Sequence, residues 1–299
     1  ENLDIPKATL STDVKELERS LGTRLFHRTT RKVQLTQDGQ TFFERTRDLV
    51  ANFDELMGSF QGEPSELRGR LRVDMPATIA RDLVVPLLPE FLAHHPALEL
   101  ELSSTDRKVD LIREGFDCVL RVGSLAESSL IARNVGHYAM INCASRAYVE
   151  KYGRPRRPRD LSQHLLVDYA AVFGERSTGF EYDEDGATRS VTMKSLVTVN
   201  ASDTYVSACL AGLGIIQVPL AGVKHLVERG ELIEILPRHR PAPLPLTLLF
   251  AHRRHLPVRV RVFMDWLADI LKTRLDLARS STRPSARRRS PRRTSSPRR

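Results

Sequence analysis

The sequence has few of the features that mark membrane, secreted or disulfide-rich proteins. None of its 299 residues falls in an apolar run of eighteen, which excludes an ordinary transmembrane helix, and no secretory signal is visible. It has only three cysteines, Cys118, Cys143 and Cys209, and they form no CxxC pair. We therefore predict buried thiols in a protein of the reducing cytoplasm.

Sequence motifs of the common enzyme classes are also missing. There is no GxGxxG, P-loop, HExxH or GxSxG in the chain. The paired histidines His94-His95 and His252 with His255 are interpreted as surface residues rather than metal ligands. We predict that the protein is not an enzyme, with no catalytic residue, no metal site and no cofactor.

No acidic residue lies between Arg279 and Arg299, a stretch that contains nine arginines. Subtracting these nine from the 46 basic residues leaves 37, which equals the 37 acidic residues, so residues 1–278 are formally neutral. The net charge of +9 is therefore no evidence about the folded part. The tail is either a disordered phosphate-binding arm or an accidental extension of the chain.

A helix followed by a basic hairpin is predicted between Pro6 and Thr36. Proline suits the first turn of a helix, apolar residues recur within 10–21 at helical spacing, and Gly22 is a typical C-terminal cap. Residues 27–36, HRTTRKVQLT, then alternate apolar and polar side chains beside basic clusters. This order is typical of a winged helix-turn-helix, in which the helix enters the major groove and the wing follows phosphates. The alternative is an ordinary amphipathic helix and hairpin with a solvated basic face.

Residues 11–40, STDVKELERSLGTRLFHRTTRKVQLTQDGQ, resemble the signature of LysR-type transcriptional regulators. The resemblance is carried by the Leu17-Glu18 pair, then Leu-Gly, Leu-Phe, Arg-Thr and finally Leu-Thr-x-x-Gly. Thr12 departs from the arginine often found there in the family, which leaves open which bases are read. Taken with the polar face of the helix, the resemblance implies DNA contacts by Lys7, Ala8, Thr9, Ser11, Thr12, Lys15, Arg28, Arg31 and Lys32.

A long linker helix is predicted over residues 36–60, with Thr36 as its N-terminal cap. Two adjacent apolar seams run along it. One contains Phe42, Leu49, Phe53, Leu56 and Phe60, and the other contains Phe43, Val50 and Met57. Such a helix implies a partner helix, and in the family it pairs two subunits. Packing onto its own domain is the alternative.

Beyond residue 61, strand-like and helix-like segments alternate, including strands over 71–75, 165–169 and 191–199 and an apolar helix over 79–94. This alternation predicts a parallel sheet with crossover helices. Segments 69–76, 116–123, 199–219 and 263–267 resemble the LysR-type effector domain, which is similar to type 2 periplasmic binding proteins. The fold expected is therefore multidomain: an incomplete all-α winged helix-turn-helix, a linker helix, and an α/β effector domain of two Rossmann-like subdomains. The predicted boundaries are 1–35 for the DNA-binding domain without its first helix, 36–60 for the linker helix, 61–69 for a hinge, 70–275 for the effector domain (subdomain I, 70–141 and 245–275; subdomain II, 142–244) and 276–299 for the disordered tail.

An effector cleft is expected where strands end and helices begin in the two subdomains. Helix N-termini favour anions, and an arginine at a strand end can pair with a carboxylate, so a small organic acid is the predicted ligand class. The predicted effector-binding residues are Ala77, Thr78, Arg121, Gly123, Asn200, Ser202, Asp203 and Thr204. Two alternatives remain: Ser202 or Asp203 only caps its own helix, and Arg121 only pairs with Asp117 or another carboxylate.

These observations together predict a cytoplasmic, sequence-specific transcriptional regulator that is modulated by a small-molecule effector. Its expected partners are double-stranded DNA with a dyad-symmetric operator and a second copy of the chain, as a homodimer or homotetramer. No membrane partner is predicted. The alternative is a small-molecule (solute) binding module without DNA function.

Overall fold

The computed structural model describes residues 6–28, 33–61, 67–125, 129–174, 178–251 and 256–280. The chain separates into two compact units. The first contains the N-terminal helices and hairpin with Leu92–Leu100 and Pro257–Arg259, and the second contains most of the α/β part. Within the described residues, no helix is long and apolar enough to cross a membrane.

The N-terminal part of the first unit consists of two helices separated by a two-stranded hairpin. Its elements are α1 (Lys7–Leu21), β1 (Phe26–Arg28), β2 (Val33–Leu35) and α2 (Gln37–Gln61). Helix α1 follows Pro6 and ends at Gly22, whose φ of 69° is readily adopted only by glycine.

The rest of the described chain alternates strands and helices. Its strands are β3 (Gly69–Met75), β4 (Leu98–Ser104), β5 (Cys118–Val122), β6 (Ile131–Tyr138), β7 (Met140–Ser145), β8 (Leu165–Tyr169), β9 (Phe180–Glu184), β10 (Ala187–Val191), β11 (Lys194–Val199), β12 (Ile216–Pro219), β13 (Leu232–Ile235) and β14 (Leu244–Phe250). Its α-helices are α3 (Ala77–Ile79), α4 (Leu88–His94), α5 (Leu111–Glu114), α6 (Arg146–Tyr152), α7 (Ser202–Leu210), α8 (Leu220–Glu228) and α9 (Val258–Ser280).

Two groups of strands organise this part. The first sheet has five strands in the order β4-β3-β5-β14-β6. The second group contains the three-stranded sheet β12-β7-β13 and the parallel pair β11-β8, connected by a bridge between Leu166 and Ile215. Strands β9 and β10 form a separate antiparallel hairpin.

The predicted parallel sheet is only partly correct: β3 pairs parallel with β5 and β11 pairs parallel with β8, but both groups of strands also contain antiparallel pairs. Strand β14 runs antiparallel to both β5 and β6, and β7 runs antiparallel to both β12 and β13. The reason is the chain path: β14 returns to the first sheet directly from the second group, so no crossover helix on the same sheet forces it to be parallel.

Two predicted segments are broken in the structure. The continuous helix expected over 79–94 is divided into α3, a π-helical turn (Ala80–Val84), a 3-10 turn (Val85–Leu87) and α4. Pro86 and Pro89 lie in this stretch and cannot donate backbone hydrogen bonds, which favours such irregular turns. The strand expected over 191–199 is instead divided between β10 and β11.

All three cysteines are buried in the hydrophobic core. Burial raises the pKa of Cys118 and Cys143 above the ordinary thiol range, and it raises the pKa of Cys209 to about 12. These thiols are therefore protonated and unreactive at neutral pH, as predicted from their apolar neighbours.

Candidate functional site

Helix α1 presents one polar face to solvent. Ala8, Thr9, Thr12 and Lys15 are exposed on it, and Ser11 is half-buried. The first turn of α1 contains no acidic residue, so its positive dipole end is not neutralised there. The hydroxyl of Thr12 donates to the Ala8 carbonyl oxygen at 3.1 Å. This face therefore offers small polar groups and the cation of Lys15 to a partner, and Arg19 is exposed one turn further along the helix.

The structure does not describe the side chains of four predicted DNA contacts. The side chains of Lys7 and Arg28, and the whole of Arg31 and Lys32, lie outside the described residues. The hairpin itself is described on both sides: β1 pairs antiparallel with β2. The structure thus places the base of the wing directly after α1.

Glu18 joins α1 to the wing. Its Oε1 accepts the backbone N–H of Leu25 at 2.8 Å and that of Phe26 at 3.1 Å. Leu25 is itself buried, with 3% of its surface exposed. Because a carboxylate that accepts two N–H groups holds both donors in one place, Glu18 fixes the angle at which the wing leaves the helix.

The Leu-Thr-x-x-Gly segment, residues 35–39, holds the start of α2 against residues 24 and 25. The hydroxyl of Thr36 donates to the Arg24 carbonyl at 2.6 Å and accepts the Gly39 N–H at 2.9 Å, which makes it the N-terminal cap of α2. A Cβ on Gly39 would lie 1.9 Å from the Leu25 carbonyl oxygen. Glycine is therefore required there by the close approach of two backbones.

Helix α2 carries a row of exposed apolar side chains. The most exposed are Leu49 and Phe53, at 66% and 60%, and Phe43, Val50 and Met57 are also exposed. The side chains of Leu56 and Phe60, also predicted to face a partner, lie outside the described residues. Large apolar side chains grouped on one exposed helix face are typical of an interaction surface.

The first predicted strand-to-helix junction, Ala77-Thr78, lies at the start of α3, where both residues are half-buried. Gly123 follows β5 with a φ of 93°, and its N–H donates to the Pro245 carbonyl at 2.9 Å. The Gly123 N–H is therefore already engaged in the structure.

Arg121, at the end of β5, is paired with a buried carboxylate. Its Nη1 lies 2.7 Å from Oδ2 of Asp74, a residue with no exposed side-chain surface. Neither Asp74 Oδ2 nor Arg121 Nη2 makes a well-formed hydrogen bond with the residues that the structure describes. The contact is therefore an ion pair whose geometry is poor for a hydrogen bond. Asp74 Oδ1 accepts the hydroxyl of Ser103 at 2.6 Å and that of Thr105 at 3.2 Å. Arg121 therefore pairs with the carboxylate of Asp74, while Asp117 accepts a backbone N–H from Arg72.

Ser202 is the first residue of α7, and it binds a carboxylate from elsewhere in the chain. Its N–H and its hydroxyl both donate to Oδ2 of Asp106, at 2.6 Å and 2.7 Å. The N-cap position is Ala201, which has no side chain that could cap the helix. The alternative that Ser202 or Asp203 caps α7 is therefore wrong, and Asp106 supplies the cap.

Asp203 makes a second contact of this kind. Its Oδ1 accepts from Nη1 of Arg81 at 2.8 Å, while Asp82 holds the other side of the same guanidinium at 2.7 Å and 3.0 Å. Hydrogen bonds from Asp82 and then Asp203 raise the pKa of Arg81. Asn200 and Thr204, the other predicted residues at this junction, are exposed.

A polar cavity of about 150 Å³ lies among residues of the second strand group. Tyr169 and Tyr205 stand on its wall with ring centroids 5.5 Å apart. Burial raises the pKa of Tyr205 and raises that of Tyr169 to about 12, so both phenols are neutral. Gln217, also on the wall, is held by Nε2 hydrogen bonds of 2.7 Å to Asn142 and 2.6 Å to the Glu181 carbonyl.

None of the eight predicted effector residues lines this cavity. Sequence reasoning also missed Asp106 and Arg81, which contact the predicted Ser202 and Asp203. Asp106 could have been found as a polar residue just after strand β4, the same signal that selected the other junctions. The tyrosines had no such signal, since aromatic residues in a strand and a helix are ordinary core residues.

Comparison with known proteins identifies the two parts of the chain. The family model described as "LysR substrate binding domain" matches residues 64–272, and the model described as "Bacterial regulatory helix-turn-helix protein, lysR family" matches residues 1–40. The chain belongs to the LysR family of transcriptional regulators. It is a DNA-binding regulator with an effector-binding domain, and modulation by an effector is typical of this family.

Curated relatives of this LysR-family chain cover most of its length. An uncharacterised HTH-type transcriptional regulator of Escherichia coli K12, YhjC, is 45% identical over 91% of each chain. The repressor PA14_22550 of Pseudomonas aeruginosa is 37% identical over 90% of this chain and 84% of its own. The activator AaeR of Escherichia coli K12 is 33% identical over 89% of this chain and 86% of its own. Since one relative is named a repressor and another an activator, the relatives do not indicate the direction of regulation here.

Solved structures share the architecture. CrgA of Neisseria meningitidis matches with a TM-score of 0.61 and 27% identity, over 89% of this chain and 90% of its own. Full-length AphB of Vibrio cholerae matches with a TM-score of 0.58 and 28% identity, over 89% and 90%. The coarse prediction, a LysR-type DNA-binding domain followed by an effector-binding domain, is confirmed.

Proposed function

We infer that this LysR-family regulator binds a dyad-symmetric operator as a homo-oligomer, and that an organic acid in its effector cleft changes that binding. The observation that carries the proposal is the exposed apolar row of α2, defined by Phe43, Leu49, Val50, Phe53 and Met57. Pairing of two such rows brings together two copies of α1, and two copies related by a dyad match a dyad-symmetric site.

The domain boundaries are part of this proposal. The first sheet is taken as subdomain I and the second strand group as subdomain II, with the chain passing between them at Ala139 and again within 236–243. The effector cleft is then the region between the C-terminal end of the first sheet and α7. A regulator that acts on chromosomal DNA works in the cytoplasm, where three buried free thiols stay reduced.

DNA contact is assigned to the exposed face of α1 and to the wing. Lys15 is an exposed cation on that face, and substituting it by alanine removes one phosphate contact. We expect Lys15→Ala to weaken binding to the DNA beside its own gene and to reduce the slope of log K against log salt by about one. Lys194→Ala, an exposed lysine in β11, is the matched control and should change neither.

Fluorescence anisotropy against this DNA and against scrambled DNA of the same composition measures both quantities. Binding that ignores sequence would favour the alternative of a solute-binding module without DNA function. If the Lys15→Ala variant binds DNA as the Lys194→Ala variant does, the face of α1 that carries Lys15 is not part of the DNA interface.

Oligomerisation is tested at Phe53. Phe53→Glu places a charge in the apolar row of α2 and is expected to shift sedimentation toward the monomer, because burying an unpaired carboxylate in an interface is strongly unfavourable. Leu196→Glu, at a side chain 64% exposed on β11, is the control and should sediment like the parent. A Phe53→Glu protein that remains a dimer or tetramer would contradict pairing through this row.

The ligand class follows from the groups at the cleft. Ser202 supplies two donors at the N-terminus of α7, and Arg121 supplies a guanidinium whose Nη2 makes no hydrogen bond within the described residues. These groups suit a carboxylate, although Asp74, Asp106 and Asp203 disfavour a strongly anionic ligand. The effector acts if it prefers one arrangement of the effector domains and so biases the spacing of the two α1 helices.

A further inference from the structure

Helix α7 lacks a cap from its own sequence. Its N-cap residue is Ala201, and no side chain at that position accepts a hydrogen bond. The first turn is instead capped by Asp106, which takes both the N–H and the hydroxyl hydrogen of Ser202 on a single oxygen. Asp106 is 96 residues away along the chain, so this is a tertiary contact rather than a local motif.

Asp106 belongs to a different part of the effector domain from α7. It lies between β4 and α5, on the side of the five-stranded sheet, whereas α7 follows β11 of the second strand group. The Arg81–Asp203 ion pair at 2.8 Å joins the same two parts. We call these two contacts the clamp: Asp106 to Ser202, and Arg81 to Asp203.

The two contacts of the clamp differ in strength. Asp106 and Ser202 are half-buried, and the hydrogen bonds between them are short and involve a charged acceptor. Arg81 and Asp203 are more than half exposed, at 55% and 57% of their side chains, so water and salt screen their attraction. Asp106 is therefore the principal contact.

We propose that Asp106 is an internal ligand of the effector cleft, which closes the clamp in the effector-free protein and must be displaced when a carboxylate ligand binds. This rests on the proposed function, in which the cleft takes an organic acid. A ligand carboxylate and the Asp106 carboxylate need the same two donors of Ser202, and two carboxylates cannot share them without strong repulsion. When the ligand binds, its carboxylate therefore replaces Asp106 as the acceptor of the two Ser202 hydrogen bonds, and the clamp opens.

The first test measures the clamp without any ligand. Cysteine is introduced at the exposed Val85, before α4, and at the exposed Leu213, after α7, and both are spin-labelled. The native thiols are buried and stay unlabelled. Double electron–electron resonance then reports the distance across the cleft. We expect Asp106→Ala to lengthen and broaden this distance.

The matched control is Asp110→Ala. Asp110 also caps a helix, since its Oδ1 accepts the Arg113 N–H at 3.0 Å, but donor and acceptor both belong to the start of α5. Losing that cap should leave the distance across the cleft unchanged. If Asp106→Ala gives the same distance distribution as Asp110→Ala, Asp106 does not hold the cleft closed, and the proposal fails.

The second test measures competition. Benzoate is the carboxylate probe and neutral benzamide its isostere, both chosen because Tyr169 and Tyr205 offer aromatic surface in the nearby cavity. Asp106→Ala should bind benzoate at least about tenfold more tightly than the parent, the usual size of a hydrogen bond to a charged group. Benzamide affinity should change little.

Sequence-specific DNA binding of each variant, measured in parallel, separates this proposal from the proposed function. An opened Asp106→Ala cleft with no gain in benzoate affinity, in a protein that still recognises its operator, would overturn the internal-ligand assignment alone. Loss of operator recognition by the unmodified protein would instead contradict the proposed function, whatever the clamp does.

Discussion

Gly39 is the position where a single methyl group has the largest expected effect on the DNA-binding part. In the Gly39→Ala variant the new Cβ would lie 1.9 Å from the carbonyl oxygen and 2.8 Å from the carbonyl carbon of Leu25. Both are backbone atoms, so no side-chain rotation relieves the overlap. The start of α2 must move away from Leu25 by more than an ångström to reach ordinary contact distance.

The size of the effect follows from what that movement breaks. The Leu25 carbonyl accepts the Thr36 N–H at 2.9 Å, and the Thr36 hydroxyl donates to Arg24 at 2.6 Å. Overpacking costs about 1–3 kcal/mol and each weakened hydrogen bond about 0.5–1.5 kcal/mol, while alanine gains about 1 kcal/mol of helix propensity over glycine. With both hydrogen bonds weakened, the net expectation is a loss of roughly 1–5 kcal/mol in the stability of the first unit.

The assay pairs Gly39→Ala with Gly222→Ala. Gly222 lies in α8, where an added Cβ would meet nothing within 4 Å, so this substitution should stabilise by up to about 1 kcal/mol through helix propensity alone. Operator affinity by anisotropy and amide exchange of α1 and α2 by mass spectrometry report on the first unit. We expect Gly39→Ala to lose operator affinity and exchange protection, and Gly222→Ala to lose neither. Equal behaviour of the two variants would refute the close-approach argument.

Three further outcomes are expected. Glu18→Ala removes the acceptor of two N–H groups at the start of the wing and should reduce operator affinity. The control Glu16→Ala, at an exposed neighbour in α1, should not reduce it. Equal affinities of the two variants would contradict the role of Glu18 in positioning the wing. Tyr148→Phe leaves the Leu165 N–H without the hydroxyl that accepts it at 2.8 Å, which should lower the unfolding free energy by about 1–3 kcal/mol in urea titration, and an unchanged midpoint would argue against it. Burial lowers the pKa of His164 in the folded protein below its ordinary value of 6.5, so the unfolded chain takes up a proton at a higher pH than the folded chain. The contribution of neutral His164 to stability is therefore full above pH 6.5 and is lost as the pH falls through the folded-state pKa. His164→Gln should abolish this pH dependence in a thermal-unfolding series.

The DNA-binding part was accessible from sequence because its signals are local. Pro6 and Gly22 lie at the two ends of α1. Between them, apolar residues recur at helical spacing, and this identifies the apolar face of the helix. The structural reasons for Glu18 and Gly39 were not accessible, because each depends on a backbone approach to residues 24–26 that spacing does not encode.

The α/β part was predicted less completely. Strands such as β3 and β8 were found from their apolar runs, but α6, α8 and the β9–β10 hairpin were not. The polar β10, whose residues are mostly exposed, carries no apolar alternation to reveal it. Strand direction was also misjudged, since alternation of elements does not report whether a strand returns from another sheet.

The sequence by itself determined the family, the division into a DNA-binding and an effector part, and the residue types available at each strand end, because these depend on motifs and local periodicity. Only the tertiary structure decided which of those residues meet. Arg121 faces Asp74 rather than Asp117, and Ser202 holds Asp106 rather than capping its own helix. Such pairings join residues far apart in the chain, and they are set by how the strands are ordered in the sheets, which no short-range pattern records.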